Sequence, residues 1–313
     1  MYERYYGLAE RPFDLAPDPR FLFLSKGHRE ALSHLSYGLS GRRGLTMLTG
    51  EAGTGKTTLV RTALQTVNGR AGRVVHVSNP SLTRDEFFEY LAAGFGFSPQ
   101  AARSKAAFLG ELQAALNGCV PGRSVLALVF DEAQCLSGDL LEEIRLLTNL
   151  EAGNGAALTV VLVGQSELAV RLEQPDLRQL KQRVSLRCAL APLQLHETAA
   201  YIASRVHVAG GKAATIFTRE AVLAIFEHSK GIPRTISVIC DNALVSGFAA
   251  DRRPIDRELV LEVCRDYALG VPLQGGEPRS LDRRDDPPRE RPADRLDDRP
   301  IFSSFTRRRF SFF

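Results

Sequence analysis

The stretch GEAGTGKTTL, residues 50–59, decides the fold of this chain. Gly50, Gly55, Lys56 and Thr57 match the pattern G-x-x-x-x-G-K-[ST], in which a glycine-rich loop joins a strand to a helix. The apolar run LTMLTG at 45–50 predicts the strand, and a helical pattern follows the loop. The motif therefore predicts an α/β domain with a phosphate-binding loop at the carboxyl end of a parallel strand.

The chemistry of this loop predicts a nucleotide and a magnesium ion. Glycines let backbone N–H groups close round phosphates at the positive end of the following helix. Lys56 would reach the β- and γ-phosphates, and the hydroxyl of Thr57 would ligate Mg²⁺. The predicted nucleotide-binding residues are Gly50, Glu51, Ala52, Gly53, Thr54, Gly55, Lys56, Thr57 and Thr58.

A second motif, LALVFDEAQ at 126–134, predicts cleavage of the bound nucleotide. It is an apolar strand that ends in Asp131 and Glu132. An acid at the carboxyl end of a central strand can hold Mg²⁺, so Asp131 is the predicted metal residue. The neighbouring acid can orient and deprotonate the attacking water, so Glu132 is the predicted base.

Further polar residues follow the later strands and helices. Gln165 ends the run LTVVLVGQ, and its strand is expected near the one that carries Asp131. Phosphoryl transfer gains from a cation on the departing charge, often from a neighbouring subunit, and Arg178 and Arg183 are candidates. Arg234, just inside a helix start, is a candidate for reaching the γ-phosphate from the helical domain.

Strand and helix patterns alternate along the first 190 residues. Besides 45–50, apolar runs at 73–79, 124–132, 158–165 and 184–190 predict four more strands. Thr83 and Glu86 form a capping box for one of the helices between them. Such alternation predicts a parallel sheet with helices on both faces.

The pattern divides the chain into four predicted segments. Residues 1–44 are an N-terminal preamble expected to pack on the core, and residues 45–191 are the nucleotide-binding domain. Residues 192–270 show only helical patterns and predict a small helical lid. Residues 271–313 alternate Arg and Asp with many prolines, which predicts disorder. Their aromatic and basic end, IFSSFTRRRFSFF, is either a docking motif or part of a passive tail.

Composition limits the class of protein. The 313 residues are 44% hydrophobic and 24% charged, and the net charge is only +4, which disfavours strong nucleic-acid binding. No run of about 18 apolar residues occurs, and the N-terminus lacks a secretory signal, so we expect no membrane span and a cytoplasmic protein. The 5 cysteines contain no C-x-x-C pair and are expected to be reduced core thiols.

These motifs, in this order, resemble an AAA+ ATPase of the general secretion pathway protein A (ExeA-like) group. The resemblance rests on YYGLAERPFDLAPDPRFLFLSKGHREALSHLSYGL, GEAGTGKTTL, DEAQCL, EEIRLLTNLE, VLVGQSEL, LRQLKQRV and GIPRTISVICDNAL. It implies a five-stranded αβα domain with a helical lid, ATP and Mg²⁺, and a homo-oligomer, ring or filament, whose sites are completed in trans. It also implies residue roles: Lys56 and Thr57 as Walker A, Asp131 and Glu132 as Walker B, Gln165 as sensor 1, Arg183 as finger, Arg234 as sensor 2, and Asn79 as a restraint on the catalytic Glu.

Three functions follow from these expectations. The first is an ATPase that drives assembly or remodelling of a cell-envelope or secretion complex, cytoplasmic or peripheral at the inner membrane, with a partner bound through the tail. Full-length secretion members also carry a membrane span and a peptidoglycan-binding domain, which we do not find here. The second is a nucleotide-switched DNA-binding scaffold of the transposition-helper type. The third, a small-molecule kinase, is disfavoured because nothing indicates an acceptor pocket.

Overall fold

The computed structural model describes residues 1–16, 18–39, 44–67, 71–78, 81–120, 124–153 and 155–269. The predicted tail at 271–313 and Asn79 lie outside the described residues. The chain forms two compact units. The sheet unit comprises Leu24–Leu193 and Ile232–Arg234, and the helical unit comprises Met1–Phe23, Gln194–Gly231 and the described residues from Thr235 to Leu269.

The elements, numbered in chain order, are as follows. The strands are β1 (Gly44–Gly50), β2 (Ala71–Val77), β3 (Ser124–Phe130), β4 (Thr159–Gly164) and β5 (Val184–Leu190). The helices are α1 (Tyr2–Tyr6), α2 (Lys26–Gly38), α3 (Lys56–Val67), α4 (Arg84–Phe95), α5 (Pro99–Arg103), α6 (Lys105–Asn117), α7 (Gly138–Leu147), α8 (Ser166–Arg171), α9 (Arg178–Arg183), α10 (Leu195–Val208), α11 (Ala213–Ile216), α12 (Arg219–Ser229), α13 (Pro233–Ala249) and α14 (Arg257–Leu269). Short 3-10 turns lie at Pro19–Phe21, Ala133–Cys135 and Pro175–Leu177.

The sheet is five-stranded and parallel, as predicted. Its strand order is β2-β3-β4-β1-β5. The strand β4 lies between the other two strands that end in predicted site residues, since it pairs Thr49 with Gly164 on one side and Phe130 with Leu162 on the other. The carboxyl ends of β1, β4 and β3 are therefore neighbours, which brings three separate sequence motifs to one edge of the sheet.

Helices cover both faces of this sheet, and each face has its own apolar core. The larger core includes Phe87, Phe108 and Phe130 and lies against α4, α6 and α7. The smaller core includes Leu35 of α2, Leu59 of α3 and strand residues. The side chains of β3 and β4 are almost all buried, because a strand covered on both faces needs apolar residues at consecutive positions. The last strand, β5, instead alternates in burial, as suits a strand at the sheet edge.

Helix starts follow the predicted caps. The hydroxyl of Thr83 accepts a hydrogen bond from the backbone N–H of Glu86, and the Glu86 carboxylate accepts one from the backbone N–H of Thr83, which confirms the capping box. Ser25 caps α2 in the same way, by accepting from the backbone N–H of His28. Each cap satisfies an N–H group that has no partner inside its helix.

The structure divides the predicted preamble between the two units. Its first 23 residues belong to the helical unit, where Arg205 stacks over Phe21 at 5.0 Å from the ring centroid. Phe13 packs edge-on against Phe217 there, with ring centroids 6.1 Å apart. Residues from Leu24 onward belong to the sheet unit, where α2 packs on α3 and β5. The aromatic contacts of Phe13 and Phe21 therefore hold the first part of the preamble in the helical unit, whereas its second part belongs to the sheet unit.

The cysteines are free thiols, but the expectation that all of them lie in a core is wrong. Cys240 and Cys264 are buried, whereas Cys135 is exposed at the end of a 3-10 turn. Within the ranges given above, no helix combines the length and the apolar character needed to cross a bilayer.

Candidate functional site

The loop between β1 and α3 is folded tightly on itself. The hydroxyl of Thr54 donates to the carbonyl oxygen of Glu51 at 2.8 Å, and Thr54 is fully buried. Gly53 and Gly55 have φ values of +81° and +98°, a region that side chains with a Cβ rarely adopt. Glu51, Ala52 and Thr58 are exposed. The two glycines thus give the loop the backbone conformation that a phosphate cradle requires.

Lys56 is held inside the loop. Its ammonium group donates to the carbonyl oxygens of Gly50 and Glu51, both at 2.9 Å. Burial lowers the pKa of Lys56 below its ordinary value, although the charges of Glu132, Asp131 and Glu167 oppose this shift. The charge of Lys56 is therefore placed at the start of α3 and partly desolvated, where a phosphate oxygen would be bound strongly.

Thr57 and Asp131 meet across two strand ends, although 74 positions separate them. The hydroxyl of Thr57 donates to Oδ2 of Asp131 at 2.8 Å. The other oxygen, Oδ1, accepts from the backbone N–H of Glu132 at 3.0 Å, and the backbone N–H of Asp131 donates to Val77 at 2.9 Å. The buried carboxylate is thus oriented beside a hydroxyl, and both are oxygen ligands of the kind that Mg²⁺ prefers.

Glu132 stands next to this pair in an unusual conformation. Its φ and ψ are 52° and 39°, in the left-handed region. A non-glycine residue there carries strain of about 1–3 kcal/mol, and such residues cluster at functional sites. The carboxylate of Glu132 accepts a hydrogen bond from Nε2 of Gln134 at 2.6 Å.

Gln165 lies at the end of β4, as its position in the sequence predicted. It precedes α8 and is half-buried. Its backbone N–H donates to Oε1 of Gln134 at 3.0 Å. The sheet order brings Gln165 between the ends of β1 and β3.

Two residues of this site are absent from the sequence-based set. His28 of α2 is buried, and its Nε2 lies 2.9 Å from the carbonyl oxygen of Thr54, while its Nδ1 lies 2.8 Å from the hydroxyl of Ser25. Gln134 joins Glu132 to Gln165. Gln134 was visible in the DEAQ motif, but nothing local showed its second contact. His28 gave no signal beyond its position after the cap Ser25.

The predicted arginines occupy different parts of the sheet unit. Arg178 and Arg183 are the first and last residues of α9, and both are exposed. Arg234 lies against the phosphate loop, because its backbone N–H donates to the carbonyl oxygen of Gly53 at 3.2 Å. A Cβ built on Gly53 would lie 2.9 Å from the Cβ of Arg234, so only glycine allows this close approach. The predicted role of Asn79 concerns a residue outside the described ranges.

Comparisons with known proteins give the family that this chain resembles. The model of the family described as AAA domain matches residues 39–172. Residues 39–172 are an AAA domain. This chain is also 42% identical over 250 residues to general secretion pathway protein A of Aeromonas hydrophila, an alignment that covers 80% of this chain and 45% of that protein. The resemblance predicted from the motifs is confirmed. The chain spans less than half the length of this relative.

Solved structures show the same fold. The Cdc6p protein of Pyrobaculum aerophilum has a TM-score of 0.62 and 18% identity, and covers 84% of this chain and 74% of its own. The ORC2 protein of Aeropyrum pernix in its ADP form has a TM-score of 0.59 and 18% identity, over 82% of this chain and 72% of its own. The AAA+ P-loop fold predicted from the sequence is therefore confirmed.

Proposed function

We propose that this AAA-domain protein hydrolyses ATP to ADP and phosphate. The observation that carries the proposal is the 2.8 Å contact between Thr57 and Asp131, beside the loop that holds Lys56. The loop amides and Lys56 would bind the phosphate chain, and phosphate oxygens would replace the two carbonyl oxygens that Lys56 now contacts. Arg234, adjacent to Gly53, would add a second positive charge near the phosphates.

Thr57 and Asp131 fit a magnesium ion. One hydroxyl and one carboxylate match the way Mg²⁺ is held in nucleotide sites, where phosphates and water complete its ligands. When bound, Mg²⁺ neutralises charge on the phosphate oxygens. Asp131 would be ready to hold it, because the backbone N–H of Glu132 donates to its carboxylate and its own backbone N–H donates to the carbonyl oxygen of Val77.

Glu132 would take a proton from the attacking water. The oxygen of that water then forms a bond to the γ-phosphorus, the bond to the bridging oxygen breaks, and ADP leaves with the electron pair. The proton returns from Glu132 to solvent with release of phosphate. Gln165 would contact the γ-phosphate or the water, Asn79 would restrain Glu132, and Arg183 or Arg178 of a neighbouring subunit would stabilise the departing charge.

The name of the relative supports a proposal for the biological setting. We infer that the hydrolysis cycle drives assembly or remodelling of a secretion-type complex at the cell envelope, as the name of the Aeromonas hydrophila protein suggests. The chain would act as a homo-oligomer, in the cytoplasm or peripherally at the inner membrane. Aromatic and basic residues at 301–313 would bind a protein partner there.

The test is phosphate release by the purified chain. Wild type should hydrolyse ATP in the presence of Mg²⁺, and Glu132→Gln should lower the rate by about 100-fold or more while ATP still binds. Lys56→Ala should abolish binding itself. Glu142→Gln, on α7 and paired with Arg145, is the matched control and should behave as wild type. Equal rates in wild type and Glu132→Gln would contradict the proposal.

A further inference from the structure

The side chain of Gln134 connects the two residues proposed to act on the water. Its Nε2 donates to the Glu132 carboxylate at 2.6 Å. Its Oε1 accepts from the backbone N–H of Gln165 at 3.0 Å. A primary amide carries a donor and an acceptor on one rigid group, so one side chain makes both contacts at a fixed separation.

The backbone of Gln134 is held as well. The Arg171 guanidinium of α8 donates to the carbonyl oxygen of Gln134 at 3.0 Å and also to that of Leu136. The loop after β3 is therefore tied to α8 by a main-chain contact in addition to the amide. The contact therefore fixes the backbone from which the Gln134 side chain extends.

The end of β4 leaves room for this amide. A Cβ built on Gly164 would lie only 2.8 Å from Oε1 of Gln134. Such a contact would push the amide away from the backbone N–H of Gln165. The glycine at this position thus allows the amide to approach the strand end.

We propose that Gln134 is a positioning residue that fixes the Glu132 carboxylate relative to the end of β4. Glu132 needs such support because its backbone is strained in the left-handed region, and its side chain extends from that strained position. Because the same amide accepts from the backbone N–H of Gln165, it links the Glu132 carboxylate to the end of β4. This inference rests on the proposed ATP hydrolysis. It names Gln134 as the residue that positions the proposed base, Glu132.

Two substitutions test the two hydrogen bonds of the Gln134 amide, to Glu132 and to Gln165. Gln134→Met keeps the length of the side chain and removes both hydrogen bonds. Gln134→Glu keeps the acceptor for Gln165 and places a carboxylate against Glu132, which repels it. Gln113→Met on α6 is the control, since Gln113 also donates to a side chain and a backbone carbonyl, those of Asn117 and Glu151.

The readouts are kcat, KM and the Kd for a fluorescent ATP analogue. Gln134→Met should lower kcat between about 10-fold and 100-fold, as expected for a misplaced base, and change the Kd by no more than about twofold. Gln134→Glu should lower kcat further. A folding defect would instead weaken nucleotide binding and lower the melting temperature together.

A double mutant distinguishes positioning from general structural support. In the Glu132→Gln background, single-turnover hydrolysis should show no additional loss from Gln134→Met, because the amide acts through Glu132. An equal loss in both backgrounds, or a kcat equal to that of Gln113→Met, would overturn the inference while wild-type hydrolysis stands. Absence of hydrolysis by wild type would overturn the proposed function, and this inference with it.

Discussion

At the scale of single residues, the site depends on polar groups that folding has partly desolvated. Lys56 is buried and donates to two carbonyl oxygens, which are weaker partners than phosphate. Glu132 adopts a backbone conformation that most residues avoid. Both features cost stability in the free protein, and both are useful only when a charged ligand arrives.

The pKa of Lys56 leads to a prediction about pH. In the free protein burial lowers this pKa, whereas bound phosphates favour the ammonium form and raise it. Between the two pKa values nucleotide binding should therefore take up a proton, and affinity should fall as the pH rises through the pKa of the free protein. Calorimetric titration with ADP and Mg²⁺, in buffers of different ionisation enthalpy at alkaline pH, measures this uptake.

Lys56→Arg is the control for that measurement. Arginine keeps its charge throughout the alkaline range, so any binding by this variant should show no uptake linked to position 56. A wild-type binding enthalpy that does not change with the buffer would contradict the predicted shift.

At the scale of elements, α2 supports the phosphate loop from outside the motif. A carbonyl oxygen only accepts, so Nε2 of His28 must donate to Thr54, and Nδ1 then accepts from Ser25. The cap that starts α2 thereby also orients the imidazole. The helix after the loop provides the amides, and the helix before β1 restrains the loop itself.

His28→Ala should weaken nucleotide binding. It leaves the buried Thr54 carbonyl without this partner, at a cost of about 1–3 kcal/mol, and frees the loop to move. We expect roughly a tenfold higher Kd for ADP and a lower melting temperature. His34→Ala removes an exposed histidine of the same helix, which contacts Cys188, and should leave the Kd unchanged. Equal affinity of the two variants would show that α2 does not restrain the loop.

At the scale of the whole molecule, the proposed reaction includes an arginine from a second chain. Arg178 and Arg183 lie at opposite ends of α9, about 8 Å apart along a helix axis at 1.5 Å per residue, and both face solvent. Which of them reaches a nucleotide depends on how two subunits pack. The motif alone therefore left both arginines as candidates.

Mixing inactive variants identifies the arginine. A Glu132→Gln subunit lacks the base but supplies arginines, and an Arg183→Ala subunit has the base but lacks that arginine. If Arg183 acts in trans, the mixture should regain a fraction of wild-type ATPase activity, because some sites combine both intact parts. Mixing Glu132→Gln with Arg178→Ala tests the other candidate. Activity no greater than the sum of the separate variants, at concentrations where wild type assembles, would contradict a contribution from either arginine.

The sequence alone determined the class of fold and the chemistry of its loop. Apolar runs, capping residues and the phosphate-loop pattern are local, since each depends on neighbours within one turn or one strand. They predicted all five strands to within two residues of their observed ends, and the capping box at Thr83. They also singled out Lys56, Thr57, Asp131 and Glu132 as residue types suited to a nucleotide site.

Only the tertiary structure decided which distant groups meet. The order of strands puts β4 between β1 and β3, the preamble divides between two units, and His28 and Gln134 contact the loop and the strand ends. The hydrogen bonds of His28 and Gln134 join residues 26 and 31 positions apart, and no periodicity in the sequence indicates such pairs. They arise because apolar faces of helices and strands must be buried and buried polar groups must be hydrogen-bonded. Both requirements are satisfied by contacts between segments that are distant in the sequence.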